Sequence, residues 1–562
     1  MPEFSSADHG LSPPRIVLPS RYNAAHDLLE RNLASGRGDK LAYIDDDGAY
    51  TYAALSARVQ RAANALTTRG LQPGDRIIVA LHDTLDFPSV FLGAIRAGIV
   101  PIAINTMLTS ADYRFMLNDS GAKALIVSAP LLSQFEAALA ESQHTPQVIV
   151  AGGAARHADH QALGALLSAA SPQHTAIAMA PDAPCFWLYS SGSTGTPKGT
   201  VHIHSSLMHT AELYARPILG ITEHDRVFSA AKLFFAYGLG NSLTFPLAVG
   251  ATTVLMAERP TPEAVFRRLL EQQPTIFYGV PTLYASMLAS NALPSRNQLN
   301  LRVCTSAGEA LPSEIGQRFR AHFGVDILDG IGSTEMLHIF MSNQVGDVRY
   351  GTTGKPVPGY RVKLCDEHGA EIAGDGLGEL LVSGPTSAIT YWNNPAKSAA
   401  TFAGGWTRTG DKYTRNAAGY YVYGGRADDM LKVSGQYVSP FEVEAALATH
   451  PKVLEAAVIG VADETALVKP KAYVVLKPGF EGSPELEQAL QAHVKAHLAA
   501  HKYPRWIEFV TELPKTATGK IQRFKLRAAA ESAREPYSRC RVRRAHMNIL
   551  PLPSRERAGV WG

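Results

Sequence analysis

The sequence predicts an α/β fold, in which a large N-terminal domain of parallel-sheet α/β subdomains is joined to smaller units. Up to about residue 350, short apolar runs alternate with amphipathic segments, the pattern of repeated βα units. From about 351 to 425, glycine and turn residues separate short alternating strands, which predicts a β-rich subdomain. The region after 425 predicts a compact α+β domain, and 562 residues exceed what one core ordinarily holds.

Hydrophobic periodicity and capping signals place the individual elements. Thr261 is predicted to cap a helix that has Pro262 in its first position. Ser439, Pro440 and Glu442 have the spacing of a capping box at the start of another helix. Amphipathic helices are predicted at 52–69, 85–97, 205–215 and 485–500, and strands at 76–81, 101–104, 185–189, 253–256, 275–278, 302–305, 326–329, 456–460 and 472–476.

Changes in composition and periodicity along the chain predict the domain boundaries. We expect an N-terminal domain over 1–425, with α/β subdomains to about 350 and a β-rich subdomain over about 351–425. A C-terminal α+β domain over 426–531 follows, of a usual size for a small domain. The segment 532–562 is basic and aperiodic, and we expect it to be disordered.

Composition argues against several classes of protein. Lys+Arg total 53 against Asp+Glu 50, so no global positive field would attract nucleic acid. The four cysteines form no CxxC pair, which fits a reducing compartment and argues against a zinc ribbon or a disulfide scaffold. The N-terminus lacks an apolar signal region, and the apolar stretch 90–104 is broken by Arg96 and Pro101. We therefore expect a cytoplasmic protein with no membrane span.

The stretch YSSGSTGTPKG (189–199) is crowded with small and hydroxylated residues. An apolar run precedes it and a helical pattern follows it, so a strand–loop–helix order is predicted, in which anions are commonly bound. The Walker pattern fails, because Pro197 precedes Lys198 and Gly199 follows it. The loop is therefore predicted to hold phosphate, but not as in P-loop NTPases.

Five stretches together resemble the adenylate-forming enzymes, a superfamily of acyl-CoA synthetases, peptide-synthetase adenylation modules and beetle luciferases. The resemblance covers about residues 20–530, and five motifs in this order are far more specific than one glycine loop. The motifs are YSSGSTGTPKG (189–199), DGIGSTE (329–335), WTRTGD (406–411), GGRADDMLKVSGQYVSPFEVE (424–444) and PKTATGKIQR (514–523).

The resemblance implies an ATP site with Mg²⁺. Asp411 would accept both ribose hydroxyl hydrogens, and Arg426 would make a second ribose or phosphate contact. Without the family, a structural salt bridge is the simpler explanation of both. Glu335 would help hold Mg²⁺, which takes a few carboxylates plus phosphate oxygens, with Thr194 as a further ligand. The implied nucleotide-binding residues are Ser190, Ser191, Gly192, Ser193, Thr194, Gly195, Lys198, Gly308, Glu309, Asp329, Ser333, Thr334, Asp411 and Arg426.

The resemblance also implies two half-reactions by domain alternation. Lys520 would bridge the carboxylate and the ribose or α-phosphate oxygen while acyl-AMP and pyrophosphate form, offsetting the repulsion between two anions. The C-terminal domain would then rotate about Asp428 and present Lys432 and Gly435 beside the pantetheine arm of coenzyme A. The CoA thiol would attack the mixed anhydride and release AMP.

Four stretches are expected to line the acyl pocket. Residues 232–241 contain no carboxylate, which argues against α-amino acid substrates because a buried ammonium without a partner is costly. Aromatic walls, Tyr278 among them, favour an aromatic ring, although many of these side chains would equally serve the core. The predicted pocket residues are Phe235, Tyr237, Gly238, Ala307, Ile331, Gly332 and His338.

The amino-acid sequence of three segments resembles that of the benzoate–CoA ligase branch: FWLYSSGSTGTPKGTVH, KLFFAYGLGNSLTFP and DGIGSTEMLHIFMSN. In that branch the equivalents of Tyr237 and His338 lie at the pocket. The resemblance thus implies an AMP-forming ligase that uses benzoate, ATP and CoA. Hydroxybenzoate or aminobenzoate ligation, and the loading of a carrier protein, stay open as alternatives. A homodimer is expected only because dimers are common in the family.

Overall fold

The computed structural model describes residues 2–153, 157, 159–191, 197–427, 429–433, 436–463, 467–515 and 521–532. These residues separate into two compact units, one formed by the described residues up to 427 and the other by those from 429 onward. The α/β fold class is confirmed.

The first sheet of the N-terminal unit is parallel over most of its width. Two strands at one edge run antiparallel to their neighbours. In spatial order its strands are Thr390–Tyr391, Pro197–Ile203, Pro184–Ser191, Val100–Ala103, Arg76–Ala80, Ala124–Ser128, Gln147–Ala151 and Gln161–Ala162.

The second sheet has a parallel centre with antiparallel strands at both edges. Its central strands are continuous apolar runs, as expected of strands covered on both faces. In spatial order the strands are Lys355–Pro356, Ile339–Ser342, Ile327–Gly332, Val303–Ser306, Ile276–Gly279, Arg226–Ser229, Thr252–Val254, Leu41–Ile44 and Ala49–Thr51.

Helices pack on these two sheets and enclose the main apolar clusters. Thr261 caps its helix as predicted, since its hydroxyl accepts from the backbone N–H of Ala264 at 3.3 Å, with Pro262 at the first position. The helices are Ala24–Ala34, Tyr52–Thr67, Asp86–Arg96, Ser110–Ser120, Leu132–Ala140, Leu163–Ala169, His204–Thr210, Ala236–Leu239, Phe245–Val249, Pro262–Gln272, Pro281–Ala289, Ser313–Phe323 and Pro395–Thr401, with π-helical turns Ala211–Ala215 and Gly240–Thr244.

A third, antiparallel sheet completes the unit. It falls within the stretch where the sequence predicts a β-rich subdomain. Its strands are Arg361–Cys365, Gly378–Ser383, Trp406–Arg415, Phe402–Ala403 and Tyr421–Arg426, and a short pair, Ser6–Asp8 and Arg15–Val17, lies near the N-terminus.

The C-terminal unit is α+β and has its own apolar clusters. Ser439 caps its helix, but the capping box is half formed: the Glu442 carboxylate pairs with Lys502 Nζ at 2.5 Å. The strands are Leu431–Val433, Gln436–Val438, Val453–Ala462, Val468–Leu476 and Trp506–Phe509, and the helices are Pro440–Ala448, Pro484–His497 and Arg523–Ser532. Within the described part of the chain, no helix is long and apolar enough to cross a bilayer.

Candidate active site

The strands on either side of the glycine-rich loop form a β-hairpin. Strands Pro184–Ser191 and Pro197–Ile203 pair antiparallel, with Ser190 opposite Lys198. The predicted strand–loop–helix order is therefore wrong: a strand follows the loop, and helix His204–Thr210 begins only after it. The physical reason is a third strand, Thr390–Tyr391, which pairs with the other edge of Pro197–Ile203.

Glu335 lies beside this hairpin. Its Oε1 accepts hydrogen bonds from Ser190 Oγ at 3.3 Å and from the Tyr391 hydroxyl at 2.7 Å. Lys198 Nζ lies 5.1 Å from the centroid of the Tyr391 ring. The structure thus brings together three residues that the motifs predict (Ser190, Lys198 and Glu335) and adds Tyr391.

Tyr391 was missed by sequence reasoning. Burial and the adjacent Glu335 carboxylate raise the pKa of Tyr391, so the phenol stays protonated and donates to that carboxylate. Its sequence context, ITYW, carries no charge or glycine signal. The long-range pairing of Thr390–Tyr391 with Pro197–Ile203 places it here.

Ser333 and Thr334 shape the turn that carries Glu335. The Ser333 hydroxyl accepts from the backbone N–H of Met336 at 3.2 Å and so caps turn Thr334–Met336. The carbonyl of Thr334 accepts from His202 Nε2 at 2.7 Å. Burial lowers the pKa of His202 to about 4, so this histidine holds the turn as a neutral donor.

Asp411 and Arg426 face each other across two antiparallel strands, Trp406–Arg415 and Tyr421–Arg426. Arg426 NH1 lies 3.1 Å from Asp411 Oδ1 and also donates to the carbonyl of Thr409 at 3.1 Å. The Asp411 side chain is 13 % exposed and that of Arg426 is 40 % exposed. The structural salt bridge that the sequence analysis considered as an explanation of both residues is therefore present, and it is partly exposed.

The predicted acyl-pocket residues gather near the ends of the second sheet's central strands. Tyr237 is partly buried and hydrogen-bonds the Thr305 hydroxyl. Its ring centroid lies 5.5 Å from that of His338 and 6.3 Å, edge to face, from that of Tyr278. Phe235 is partly buried and packs on the same core, its ring 4.4 Å from that of Phe234.

Two predicted pocket glycines allow close backbone approach. A Cβ on Gly238 would lie 2.0 Å from the Lys232 carbonyl oxygen, and one on Gly332 would lie 2.6 Å from the His338 carbonyl oxygen. Of the other predicted residues, Ala307 is buried and Ile331 packs partly buried on the main core. Gly308 and Glu309 follow strand Val303–Ser306, and Gly308 has a left-handed φ of +97°.

Several buried polar atoms around these strand ends have no hydrogen-bond partner among the described residues: Tyr278 Oη, Ser306 Oγ, Asp329 Oδ1 and His338 Nδ1. Burial raises the pKa of Asp329 well above its usual range, against hydrogen bonds from the backbone of Leu311 and Gly330. Burial of this carboxyl group thus disfavours its charged form.

A carboxylate does contact the stretch that lacks one of its own. Asp83 is buried and accepts from the backbone N–H of Leu233 at 3.2 Å and 3.3 Å. Burial raises the pKa of Asp83 to about 6, and the adjacent Lys232 ammonium opposes that shift. Because Asp83 already has partners within the protein, it does not supply a partner for a substrate ammonium. The argument against an α-amino acid substrate therefore holds.

The sequence matches the family described as AMP-binding enzyme over residues 29–392 and its C-terminal domain over 442–520. Together the two matched stretches cover most of the chain. The chain belongs to the AMP-binding enzyme family. The resemblance to adenylate-forming enzymes is therefore confirmed.

Relatives of this AMP-binding enzyme match it over nearly their whole length. A benzoate–CoA ligase of Thauera aromatica is 65 % identical over 94 % of this chain and 99 % of its own. A 4-hydroxybenzoate–CoA/benzoate–CoA ligase of Rhodopseudomonas palustris is 49 % identical over 90 % of this chain and 94 % of its own. The crystal structure of a benzoate CoA ligase from Burkholderia xenovorans LB400 has a TM-score of 0.85 and 56 % identity, covering 90 % of this chain and all of that one.

Part of the predicted machinery of the AMP-binding enzyme lies outside the described residues. The backbone of Lys432 belongs to strand Leu431–Val433 and that of Ser191 to Pro184–Ser191, but their side chains are not described. The roles given to these residues stay predictions. Those outside the described residues are Gly192, Ser193, Thr194, Gly195, Asp428, Gly435 and Lys520.

Proposed function

We propose that this protein is an ATP-dependent benzoate–CoA ligase. Its class, an AMP-forming aromatic acid–CoA ligase, is confirmed. The observation that supports benzoate is the 65 % identity with a benzoate–CoA ligase over nearly both chains. The carboxylate-free stretch 232–241 and the aromatic side chains of Phe235 and Tyr237 agree with a flat, uncharged ring.

The proposed reaction joins two anions in its first step. A benzoate oxygen attacks the α-phosphorus of ATP, and pyrophosphate leaves. The CoA thiol then attacks the benzoyl carbonyl, and AMP leaves with the benzoate oxygen that formed the anhydride. We assign the β/γ-phosphates to the hairpin loop with Ser190 and Lys198, and the ribose hydroxyls to Asp411, an acceptor when ionised.

We also propose that the enzyme uses Mg²⁺ at Glu335. Among the described residues, no group of three or more His, Cys, Asp or Glu could hold a metal ion, so the protein supplies few ligands and the nucleotide the rest, as Mg²⁺ accepts. Ser190 and Tyr391 both donate to Oε1 of Glu335 and orient its carboxylate, which would hold the ion. Mg²⁺ there would neutralise phosphate charge.

The assay of the proposal is product identification. Enzyme, Mg²⁺, ATP, benzoate and CoA should give benzoyl-CoA, AMP and pyrophosphate in equal amounts, measured by liquid chromatography with mass detection. ADP in place of AMP would contradict the proposal. Acyl-AMP that accumulates despite free CoA would favour the alternative, a partner that loads a carrier protein.

A kinetic panel separates benzoate from its substituted relatives. We expect the highest kcat/KM for benzoate among benzoate, the hydroxybenzoates, the aminobenzoates and cyclohexanecarboxylate. Hydroxybenzoate is the second candidate, because His338 Nδ1 has no partner among the described residues and a buried acceptor favours a substrate donor. A higher kcat/KM for a hydroxybenzoate would move the assignment there.

Lys520 and Lys432 are predicted to serve different half-reactions. Lys520→Ala should abolish formation of benzoyl-AMP and spare thioester formation from supplied benzoyl-AMP, and Lys432→Ala should do the reverse. Equal losses in both half-reactions for Lys520→Ala would contradict domain alternation. A cytoplasmic location and a homodimer also stay predictions from the resemblance, and light scattering tests the latter.

A further inference from the structure

The imidazole of His338 has one edge fixed by the protein. Its Nε2 lies 3.1 Å from Asn241 Oδ1 and 3.3 Å from the carbonyl oxygen of Tyr237. A backbone carbonyl can only accept, so Nε2 must carry a proton to avoid two facing lone pairs. This edge also packs on Gly240, where a Cβ would lie 2.4 Å from His338 Cδ2.

The amide of Asn241 is oriented by a second hydrogen bond. Asn241 is fully buried, and its Nδ2 donates to Ser229 Oγ at 3.3 Å. The Ser229 hydroxyl is already a donor to the carbonyl of Ala231 at 3.0 Å, so Ser229 Oγ acts as the acceptor. The carbonyl oxygen of Asn241 therefore faces His338, and the chain Ser229–Asn241–His338 runs in one direction.

The opposite edge of the imidazole is then an acceptor. With the proton on Nε2, a neutral ring keeps a lone pair on Nδ1. His338 is 3 % exposed, and its Nδ1 has no hydrogen-bond partner among the described residues. Burial lowers the pKa of His338 to about 3, so the ring stays neutral at working pH. The rings of Tyr214, Tyr237 and Phe245 surround it at 4.5–5.5 Å.

We propose that Asn241 is a positioning residue that fixes the Nε2–H tautomer of His338, so that Nδ1 offers an acceptor to a hydrogen-bond donor on the ring of the aromatic acid. This rests on the proposed function, because it places the ring of the substrate beside His338. Asn241 acts through His338 and sets the preference between ring substituents. Unsubstituted benzoate, which carries no donor on its ring, is the reference substrate for this preference.

The test compares matched substrates and variants. Asn241→Leu removes the acceptor at similar volume, and Asn241→Asp restores it. Thr244→Val is the control, since Thr244 lies in the same π-helical turn, is 1 % exposed and has no partner for its hydroxyl among the described residues. For each enzyme, kcat/KM is measured for benzoate and for 2-, 3- and 4-aminobenzoate against the corresponding methylbenzoates, which are of similar size but lack the donor.

At one ring position the amino-to-methyl ratio should fall about fivefold or more in Asn241→Leu. The amino-to-methyl ratio should stay within about twofold of wild type in Asn241→Asp and Thr244→Val. Unchanged ratios at all three positions in Asn241→Leu would overturn the proposal.

A second readout needs no active variant. In ¹⁵N-histidine-labelled wild type, with the His338 signals assigned by their loss in His338→Gln, Nε2 should carry the proton and Nδ1 should not. A proton on Nδ1 would overturn the proposal even if Asn241→Leu did not fold. If the wild type made no benzoyl-CoA, the proposed function would fail, whereas this tautomer measurement would still test the protonation assigned to His338.

Discussion

The Tyr391 hydroxyl donates a 2.7 Å hydrogen bond to Oε1 of Glu335. Strand Thr390–Tyr391 pairs with Pro197–Ile203, so this one strand contacts the hairpin through its backbone and Glu335 through the Tyr391 side chain. Since Lys198 Nζ lies 5.1 Å from the ring centroid of Tyr391, this tyrosine links the proposed phosphate and metal ligands.

Tyr391→Phe should weaken this arrangement without removing the ring. A hydrogen bond to a charged group contributes about 1.5–3 kcal/mol, so we expect kcat/KM for ATP to fall about tenfold and the Mg²⁺ concentration for half-maximal rate to rise. The measurement is initial adenylation rate against ATP and Mg²⁺. Tyr350→Phe is the control, because Tyr350 donates to Asp326 at 2.8 Å. Similar losses in both variants would count against a role for Tyr391.

Asp411→Asn should separate binding from structural support. Surface ion pairs contribute about 0–1 kcal/mol, so loss of the Asp411–Arg426 pair should barely change the thermal midpoint. Replacement of one acceptor oxygen by an NH2 group, which cannot accept a ribose hydroxyl hydrogen, should reduce kcat/KM for ATP at least about tenfold. Glu379→Gln is the control, because it breaks the Glu379–Arg408 pair, 2.6 Å long, in the same sheet. If Asp411→Asn lowered the thermal midpoint equally with and without ATP, the result would support a purely structural role for the Asp411–Arg426 salt bridge.

Gly238→Ala should destabilise the N-terminal unit. The new Cβ would lie 2.0 Å from the Lys232 carbonyl oxygen and 2.5 Å from that of Ala231, and such overpacking costs about 1–3 kcal/mol. We expect a thermal midpoint lower by several degrees and weaker benzoate turnover. Gly164→Ala, with nothing within 4 Å of its Cβ, should keep the thermal midpoint and the benzoate turnover of the wild type. An unchanged midpoint for Gly238→Ala would show that this backbone contact can relax freely.

Buried histidines predict acid sensitivity of the fold. Burial lowers the pKa of His204 to about 4, from an ordinary 6.5. Below pH 6.5 the unfolded chain binds a proton that the folded chain does not, so stability present above pH 6.5 is lost as the pH falls towards 4. The difference is worth ~3 kcal/mol. We expect unfolding midpoints to fall over this range, and less steeply in His204→Asn. His144→Asn, at an exposed histidine, is the control for the loss of an imidazole as such.

The sequence predicted helices and strands correctly where the signal for them is local. Continuous apolar runs predicted the strands that became Arg76–Ala80 and Pro184–Ser191, and Thr261 with Pro262 predicted the start of its helix, all present in the structure. Pro197–Ile203 was missed as a strand, because the partner at its outer edge, Thr390–Tyr391, lies almost two hundred residues away.

The site was predictable only where motif and geometry coincide. Ser190, Lys198 and Glu335 follow from the motifs and do meet in space. Tyr391 lies outside every motif, because long-range strand pairing places it. Asn241 lies within the predicted pocket stretch 232–241 but was not singled out there, and a π-helical turn places it. Tertiary contacts of this kind leave no local pattern in a single sequence.

The transfer of a carboxylate oxygen tests the central claim most directly. With benzoate carrying ¹⁸O in both carboxylate oxygens, adenylation predicts AMP that contains one ¹⁸O atom for each benzoyl-CoA formed, seen by mass spectrometry. Unlabelled AMP, or ¹⁸O found in inorganic phosphate beside ADP, would contradict an acyl-adenylate intermediate.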